Sequence, residues 1–236
     1  MTWARPYQRT CKLDQTLKIV DTADGSKTIW NEQVGEHYHS RNGALQESRH
    51  VFVEAGLQYF LSVSGASGVN ILEVGFGTRL NFLLSANHCI KTNVNLNYVG
   101  IEAYPLSKQL IGQTGYDQYL STDIWQNFLD KYLHAFQSNT EIAQKIKLNI
   151  APVELLKFSS AQLFDIIYFD AFAAAHQPEM WNAEAISHTV KFLKPGGVLV
   201  TYAITGDLKR MLKGLGFKIE KLPGAAGKRE MLRATN

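Results

Sequence analysis

The chain of 236 residues is long enough for one large domain with a substantial core, or for a domain with an appendage. Its apolar and charged shares, 45% and 19%, are those of an ordinary globular protein and argue against a disordered or membrane-spanning chain. The amino-terminal run MTWARPYQRTCKLDQT has no apolar core of signal-peptide length, and no apolar run approaches the ~18 residues of a bilayer span, so a cytoplasmic location is expected.

Cys11 and Cys89 stand far apart, without CxxC context, and read as bystander thiols. The charge is uneven. From Asp207 onward eight Lys/Arg face three acids, a net +5 that leaves −2 for the preceding 206 residues. A basic tail suits a polyanion such as RNA, and it equally suits a solvated lysine-rich face.

In chain order, TLKIVDTADGSKTIW reads as a β-hairpin turning at Asp24-Gly25. A polar stretch leads into a helix expected from about Ala44 to Phe60. Strand-like runs then follow at Asn70–Phe76, Leu96–Glu102, Lys147–Ala151, Phe164–Asp170 and Gly197–Ala203. Helical spacing separates them at Leu80–Ala86, Leu106–Gln113, Ile124–Phe136 and Ala183–Phe192. Near-continuous apolar strands alternating with helices predict a mainly parallel α/β sheet covered on both faces.

FKIEKLP and KREMLRA, joined by PGAAG with no helix between them, predict an antiparallel hairpin at one sheet edge. That finish is the layout of class I S-adenosylmethionine-dependent methyltransferases, a Rossmann-like fold. Dinucleotide oxidoreductases continue with a second parallel half instead. The expected division is an amino-terminal hairpin and helix over 1–62 and a methyltransferase-type domain over 63–236.

Three strand ends carry candidate chemistry. Gly75 and Gly77 in LEVGFGTRLN permit a tight turn whose backbone N–H groups can face an anion, but position 80 is Leu rather than the third glycine of a dinucleotide fingerprint. Glu102, closing the next strand, can accept hydrogen bonds from a ribose diol, and with the glycine turn it indicates an adenosine-type cofactor. Asp170 closes FDIIYFD at the sheet edge where ligands bind, and equally suits a helix cap. His37 and His39 have no compelling third ligand, so no metal site is expected, and no G-x-S-x-G, P-loop or HExxH run is present.

GFGTRLN, EAYPL, FDAFAAAHQPEMW, LKPGGVLVTY and PGAAGKREMLRA together closely resemble the MnmD family, as do DGSKTIW and EHYHSRNGALQESRHVF. These are the methyltransferases, or methyltransferase domains of bifunctional MnmC, that complete 5-methylaminomethyl-2-thiouridine at the tRNA wobble position. The resemblance covers nearly the whole chain. Because the chain stops just after KREMLRA, it implies the stand-alone form, with a functional link to a separate upstream oxidoreductase or to the enzymes that install the aminomethyl group.

The resemblance implies S-adenosyl-L-methionine beside Glu73, Gly75, Phe76, Gly77, Thr78 and Asn81, with its ribose on Glu102 and its adenine beside Ala103, Tyr104 and Pro105. It implies Asp170, Phe172 and Trp181 at the modified base, and Tyr38, His39, Ser40, Asn42, Gly43 and Glu47 on the cofactor or substrate side. Lys209, Arg210, Lys228 and Arg229 are expected to contact the phosphates of the anticodon arm. Asp170, taken at an ordinary carboxyl pKa of ~3.9, is expected to orient the acceptor amine rather than deprotonate it.

Departures from the family pattern are Arg79 in place of a glycine, expected on the solvent side of the helix start, and Pro152 where many members carry an Asp-containing loop. Two rival readings remain at this point. One is a methyltransferase or aminopropyltransferase-like enzyme acting on a free small amine. The other is a non-catalytic RNA- or adenosine-binding module.

Overall fold

A strand buried on both faces has no polar side to show, and the apolar runs do become the central strands of a covered sheet. The computed structural model describes residues 16–120 and 124–236; Cys11 lies outside the described residues. Strands β1 (Leu17–Asp21), β2 (Lys27–Asn31) and β3 (Glu36–His37) form a small antiparallel sheet in that order. The Asp24 carboxylate fixes the expected turn: Oδ1 accepts from Thr22 Oγ1 at 2.7 Å and from Ser26 N at 3.0 Å. Its Oδ2 accepts from Gln46 N at 3.0 Å, which ties the hairpin to the start of the next helix.

That helix, α1, runs over 44–64 and is π-wound across Ser48–Gln58 between α-helical ends. The Tyr59 N–H reaches the Glu54 carbonyl, five residues back. Gly56 lets α1 lie directly on the large sheet, because a Cβ there would stand 3.0 Å from both Tyr168 and Val200.

The large sheet comprises β4 (Gly68–Val74), β5 (Asn95–Ile101), β6 (Thr140–Ala143), β7 (Ile146–Ala151), β8 (Phe164–Phe169), β9 (Leu193–Thr201), β10 (Lys218–Pro223) and β11 (Glu230–Thr235). Their order is β10-β11-β9-β8-β4-β5-β7-β6. The five strands from β9 to β7 are parallel, β11 and β6 run antiparallel to them, and β10, antiparallel to β11, runs in the direction of the five. The terminal hairpin stands as expected. Strand β6 does not, because TEIA is too short to show an alternation.

Helices α2 (Leu80–Thr92), α3 (Lys108–Gly112), α4 (Ile124–Lys131), α5 (Ala183–Val190) and α6 (Gly206–Gly214) connect the strands. Neighbouring strand residues point to opposite faces. Ile71 and Ile166 join a core with Phe52 of α1, Phe82 of α2 and Phe128 of α4. Leu72 and Ile167 join a second core with Ile186 of α5 and Leu212 of α6. Helix α6 is not expected from the sequence, since it buries only Leu208 and Leu212 and starts from the Thr205 cap. Among the described residues, no helix is long and apolar enough to cross a membrane.

Candidate active site

The order of strands reverses direction at β4, and ligands in open α/β sheets bind beyond the carboxyl ends of the strands at such a point. A cleft of about 760 Å3 opens there, within the size range of small-molecule sites. Glu73, Gly75, Phe76, Gly77, Thr78 and Asn81 line one side, Glu102, Ala103 and Tyr104 another, and Asp170 with Phe172 a third. Pro105 is buried and does not line the cleft.

The glycine turn is stitched to the neighbouring strand ends. Gly75 N and Phe76 N both donate to Ile101 O, at 3.2 and 3.1 Å, and Asp170 N donates to Val74 O at 2.8 Å. Gly77 N donates to Glu102 Oε2 at 2.9 Å, and Tyr104 N donates to Glu102 Oε1 at 3.0 Å. Gly75 has φ +83°, and a Cβ on it would lie 2.4 Å from Asp170 O. Its glycine is therefore needed for the approach of Asp170 as much as for a ligand. Gly75→Ala is expected to lose about 2–4 kcal/mol of stability, read as a lower urea midpoint with unchanged slope.

Side chains form a polar chain beneath the cleft. Tyr98 OH donates to Glu73 Oε2 at 2.7 Å, and Asn81 Nδ2 donates both to Glu73 Oε1 at 2.7 Å and to Asp170 Oδ2 at 2.8 Å. One amide nitrogen thus bridges the buried Glu73 carboxyl and the half-buried Asp170 carboxyl, while Asn81 Oδ1 is buried without a partner. Burial, reinforced by the nearby Glu47 charge, pushes the Asp170 carboxyl up to about 8. Burial and the Asp170 charge hold Glu73 well above the usual carboxylate range. The expectation of an ordinary carboxyl pKa at Asp170 is therefore corrected: partial burial removes some of its solvation, and the Glu47 and Glu36 carboxylates nearby oppose a further negative charge.

A second, smaller cavity of about 190 Å3 adjoins the cleft, and Tyr38, His39, Ala171 and Phe172 line both. Ser40, Glu47, Tyr202 and Lys228 complete much of its wall. His39 is buried with Nε2 2.6 Å from Thr78 Oγ1, and its Nδ1 has no partner. Burial lowers its pKa to about 4, so the ring is neutral near pH 7. Tyr38 meets the Phe172 ring edge-on, with centroids 4.9 Å apart.

Other predicted residues support the walls from outside. Trp181 packs behind the loop, with Nε1 donating to Phe172 O at 2.7 Å, and it lines neither cavity. Asn42 and Gly43 also line neither; Gly43 N donates to Ser40 O, and Asn42 lies against Gly227 of the β10–β11 turn.

The basic tail is less free than its count implies. Lys228 turns inward, 2.6 Å from Glu47 Oε2 and 3.7 Å from the centre of the Tyr202 ring. Arg210, Lys221 and Arg233 pair with Asp207, Glu230 and Glu220. Lys209 and Arg229 make no ion pair among the described residues.

Two site residues escaped the sequence reading. Glu36 accepts from Ala173 N at 2.8 Å and anchors the loop after Asp170, but it lies in a two-residue strand with no pattern to read. Tyr202 donates to Ala171 O at 2.8 Å, and its place just past the end of β9 was the available signal.

The sheet order, the glycine turn and the strand-end carboxylate together define a class I S-adenosylmethionine-dependent methyltransferase. The family model that matches residues 119–236 is that of an S-adenosyl-L-methionine-dependent methyltransferase, and the chain belongs to this family. It is 30% identical over 214 residues to the tRNA 5-methylaminomethyl-2-thiouridine biosynthesis bifunctional protein MnmC of Pseudomonas fluorescens (strain Pf0-1), covering 83% of this chain and 31% of that protein. A protein of the same name from Leptospira interrogans serogroup Icterohaemorrhagiae serovar copenhageni (strain Fiocruz L1-130) is 30% identical over 213 residues, covering 86% and 33%. The chain spans about a third of the length of these relatives. The crystal structure of MNMC2 from Aquifex aeolicus shares the fold, with a TM-score of 0.75 at 22% identity, covering 99% of this chain and 77% of that one.

Proposed function

We propose that this protein transfers the methyl group of S-adenosylmethionine to the amine of 5-aminomethyl-(2-thio)uridine at the tRNA wobble position, giving 5-methylaminomethyl-(2-thio)uridine. The observation that carries this reading is Asp170, half-buried where it lines a cofactor-sized cleft beside a smaller polar cavity, and hydrogen-bonded through Asn81 to the buried Glu73. The relatives' printed names supply the acceptor's chemical class.

The cleft suits the cofactor on its own evidence. Its volume is adequate, and Glu102 lines it with carboxylate oxygens that can accept from a ribose diol. Glu73 and Asp170 offer carboxyls to a cationic ligand. When bound, S-adenosylmethionine supplies an electrophilic methyl group on a sulfonium centre. In this reading Glu102 holds the ribose, Ala103 and Tyr104 border the adenine, and Phe172 and Tyr38 separate the cofactor from the acceptor.

The acceptor must attack as a neutral amine, yet a simple alkylamine of pKa ~10 arrives as ammonium. Asp170 receives the ammonium as a carboxylate. A site that holds this carboxyl neutral also favours the amine and carboxylic acid over the ammonium–carboxylate pair. The proton passes to Asp170, and the freed lone pair is held facing the methyl group. This goes beyond the orienting role expected from the sequence.

Phosphate contacts in this reading fall to the unpaired cations Lys209, Lys213, Lys218 and Arg229, with Arg210 reserved by Asp207 and Lys228 by Glu47. The substrate amine comes from a separate oxidoreductase or from the enzymes that install the aminomethyl group. The deciding experiment supplies methyl-labelled S-adenosylmethionine and tRNA from cells blocked at this last step, then identifies the labelled nucleoside. We expect label in 5-methylaminomethyl-(2-thio)uridine. Equal transfer to free small amines would replace the reading with a small-molecule methyltransferase. Cofactor binding with no transfer to any tRNA pool would replace it with a binding module.

A further inference from the structure

Arg79 was expected at the solvent side of a helix start, yet its side chain is completely buried. It precedes α2 with φ +72°, a left-handed conformation that non-glycine residues adopt at a cost. No carboxylate forms a salt bridge with it among the described residues, although its charge acts at longer range on the buried Glu73 carboxyl. Its guanidinium lies 4.9 Å from the centre of the Phe76 ring and 5.4 Å from that of Tyr132. Nη2 donates to Tyr132 OH at 2.6 Å, while Nε and Nη1 are buried without partners. A buried cation held this sparingly is poorly explained as packing alone.

Its connections run between two walls of the cofactor cleft. Phe76 belongs to the glycine turn and lines the cleft. Tyr132, just past the end of α4, passes the hydrogen bond on: its OH donates to Leu106 O at 2.8 Å. Leu106 closes the segment that begins with Glu102, Ala103 and Tyr104, the opposing wall. The chain Arg79–Tyr132–Leu106 therefore joins the glycine turn to the Glu102–Leu106 segment from behind, without entering the cleft. Tyr132 keeps both roles at once because a hydroxyl donates one bond while accepting another.

We infer that Arg79 is a positioning residue which, through Tyr132, holds the Glu102–Leu106 segment against the glycine turn and thereby sets affinity for the cofactor's adenosine end. The inference concerns the cofactor alone, so it stands or falls independently of the acceptor's identity.

The test is calorimetric binding of S-adenosylhomocysteine to the full chain, which needs no acceptor. Tyr132→Phe keeps the ring and removes both hydrogen bonds; Arg79→Met keeps most of the volume and removes the charge. Each is expected to weaken binding about tenfold, and the double variant to be no weaker than the worse single one, as for two members of one unit. Arg79→Lys, which can still donate to Tyr132, is expected to recover part of the loss. Melting temperature is followed alongside. Unchanged affinity in Tyr132→Phe, whether or not the melting temperature falls, would overturn the inference, as would losses that add in the double variant. Should Arg79→Met fail to fold, Tyr132→Phe alone decides.

Discussion

Asp170→Asn is expected to slow single-turnover methyl transfer at least ~100-fold while leaving S-adenosylhomocysteine binding within about threefold. The substitution is nearly isosteric, and the new amide oxygen can still accept from Asn81 Nδ2, now 2.8 Å from the carboxylate. What disappears is the oxygen that receives the amine's proton, replaced by an N–H that opposes the amine's own donors. In the wild type, kcat/KM should rise with pH up to about 8, where Asp170 ionises in the free enzyme, and fall again as the amine itself deprotonates near ~10. In the variant this acidic limb should move up toward the amine's own pKa near ~10, because only acceptor that arrives neutral can then react. A near-normal single-turnover rate on verified 5-aminomethyl tRNA would remove Asp170 from the chemistry.

The same residue leaves a signature in stability that needs no substrate. The Asp170 carboxyl has its pKa raised from 3.8 to about 8, so between those values the folded chain holds a proton that the unfolded chain has released. Stability contributed by this neutral carboxyl is fully present below pH ~4 and is lost progressively until pH ~8. The loss amounts to something on the order of 5 kcal/mol. Asn cannot titrate, so the variant's urea midpoint should overtake the wild type's as pH rises across this window. A constant difference between the two from pH 4 to pH 8 would show that Asp170 ionises normally.

The parallel core was legible because Ile71, Leu72, Ile166 and Ile167 sit in apolar runs that only a doubly covered strand can use. The strand-end acids were legible because Glu102 and Asp170 fall where such runs stop. Pairings across long sequence separations were not legible. Asn81 bridges Glu73 to an aspartate 89 residues away, and Lys228 reaches Glu47 across 181. Counting charges in the tail could not reveal that several were already paired. Arg79 was misplaced for a related reason, since the ring that buries its guanidinium lies 53 residues further on. Nor could the raised pKa of Asp170 be foreseen, because it depends on partial burial and on the Glu47 and Glu36 carboxylates, which the spacing of the motif does not mention.

Glu102→Ala is expected to weaken S-adenosylmethionine and S-adenosylhomocysteine binding about 100-fold, with the folded structure retained. An ionised carboxylate offers roughly four acceptor sites. In this protein two are used by backbone donors, Gly77 N on Oε2 and Tyr104 N on Oε1. Those bonds fix the carboxylate's plane and leave one accepting direction on each oxygen for the two hydroxyls of a ribose. Hydrogen bonds to a charged group contribute about 1.5–3 kcal/mol each, so losing both predicts about two decades or more in affinity. Truncation also frees the Gly77 and Tyr104 N–H groups, loosening the turn against the opposite wall. The two contributions separate with an S-adenosylhomocysteine analogue lacking the 2′- and 3′-hydroxyls. It should bind the wild type weakly and lose little further in Glu102→Ala, because the missing diol and the missing carboxylate are two halves of one interaction. Tight binding of that analogue to the wild type would instead assign Glu102 to bracing the glycine turn alone, with the ribose held elsewhere.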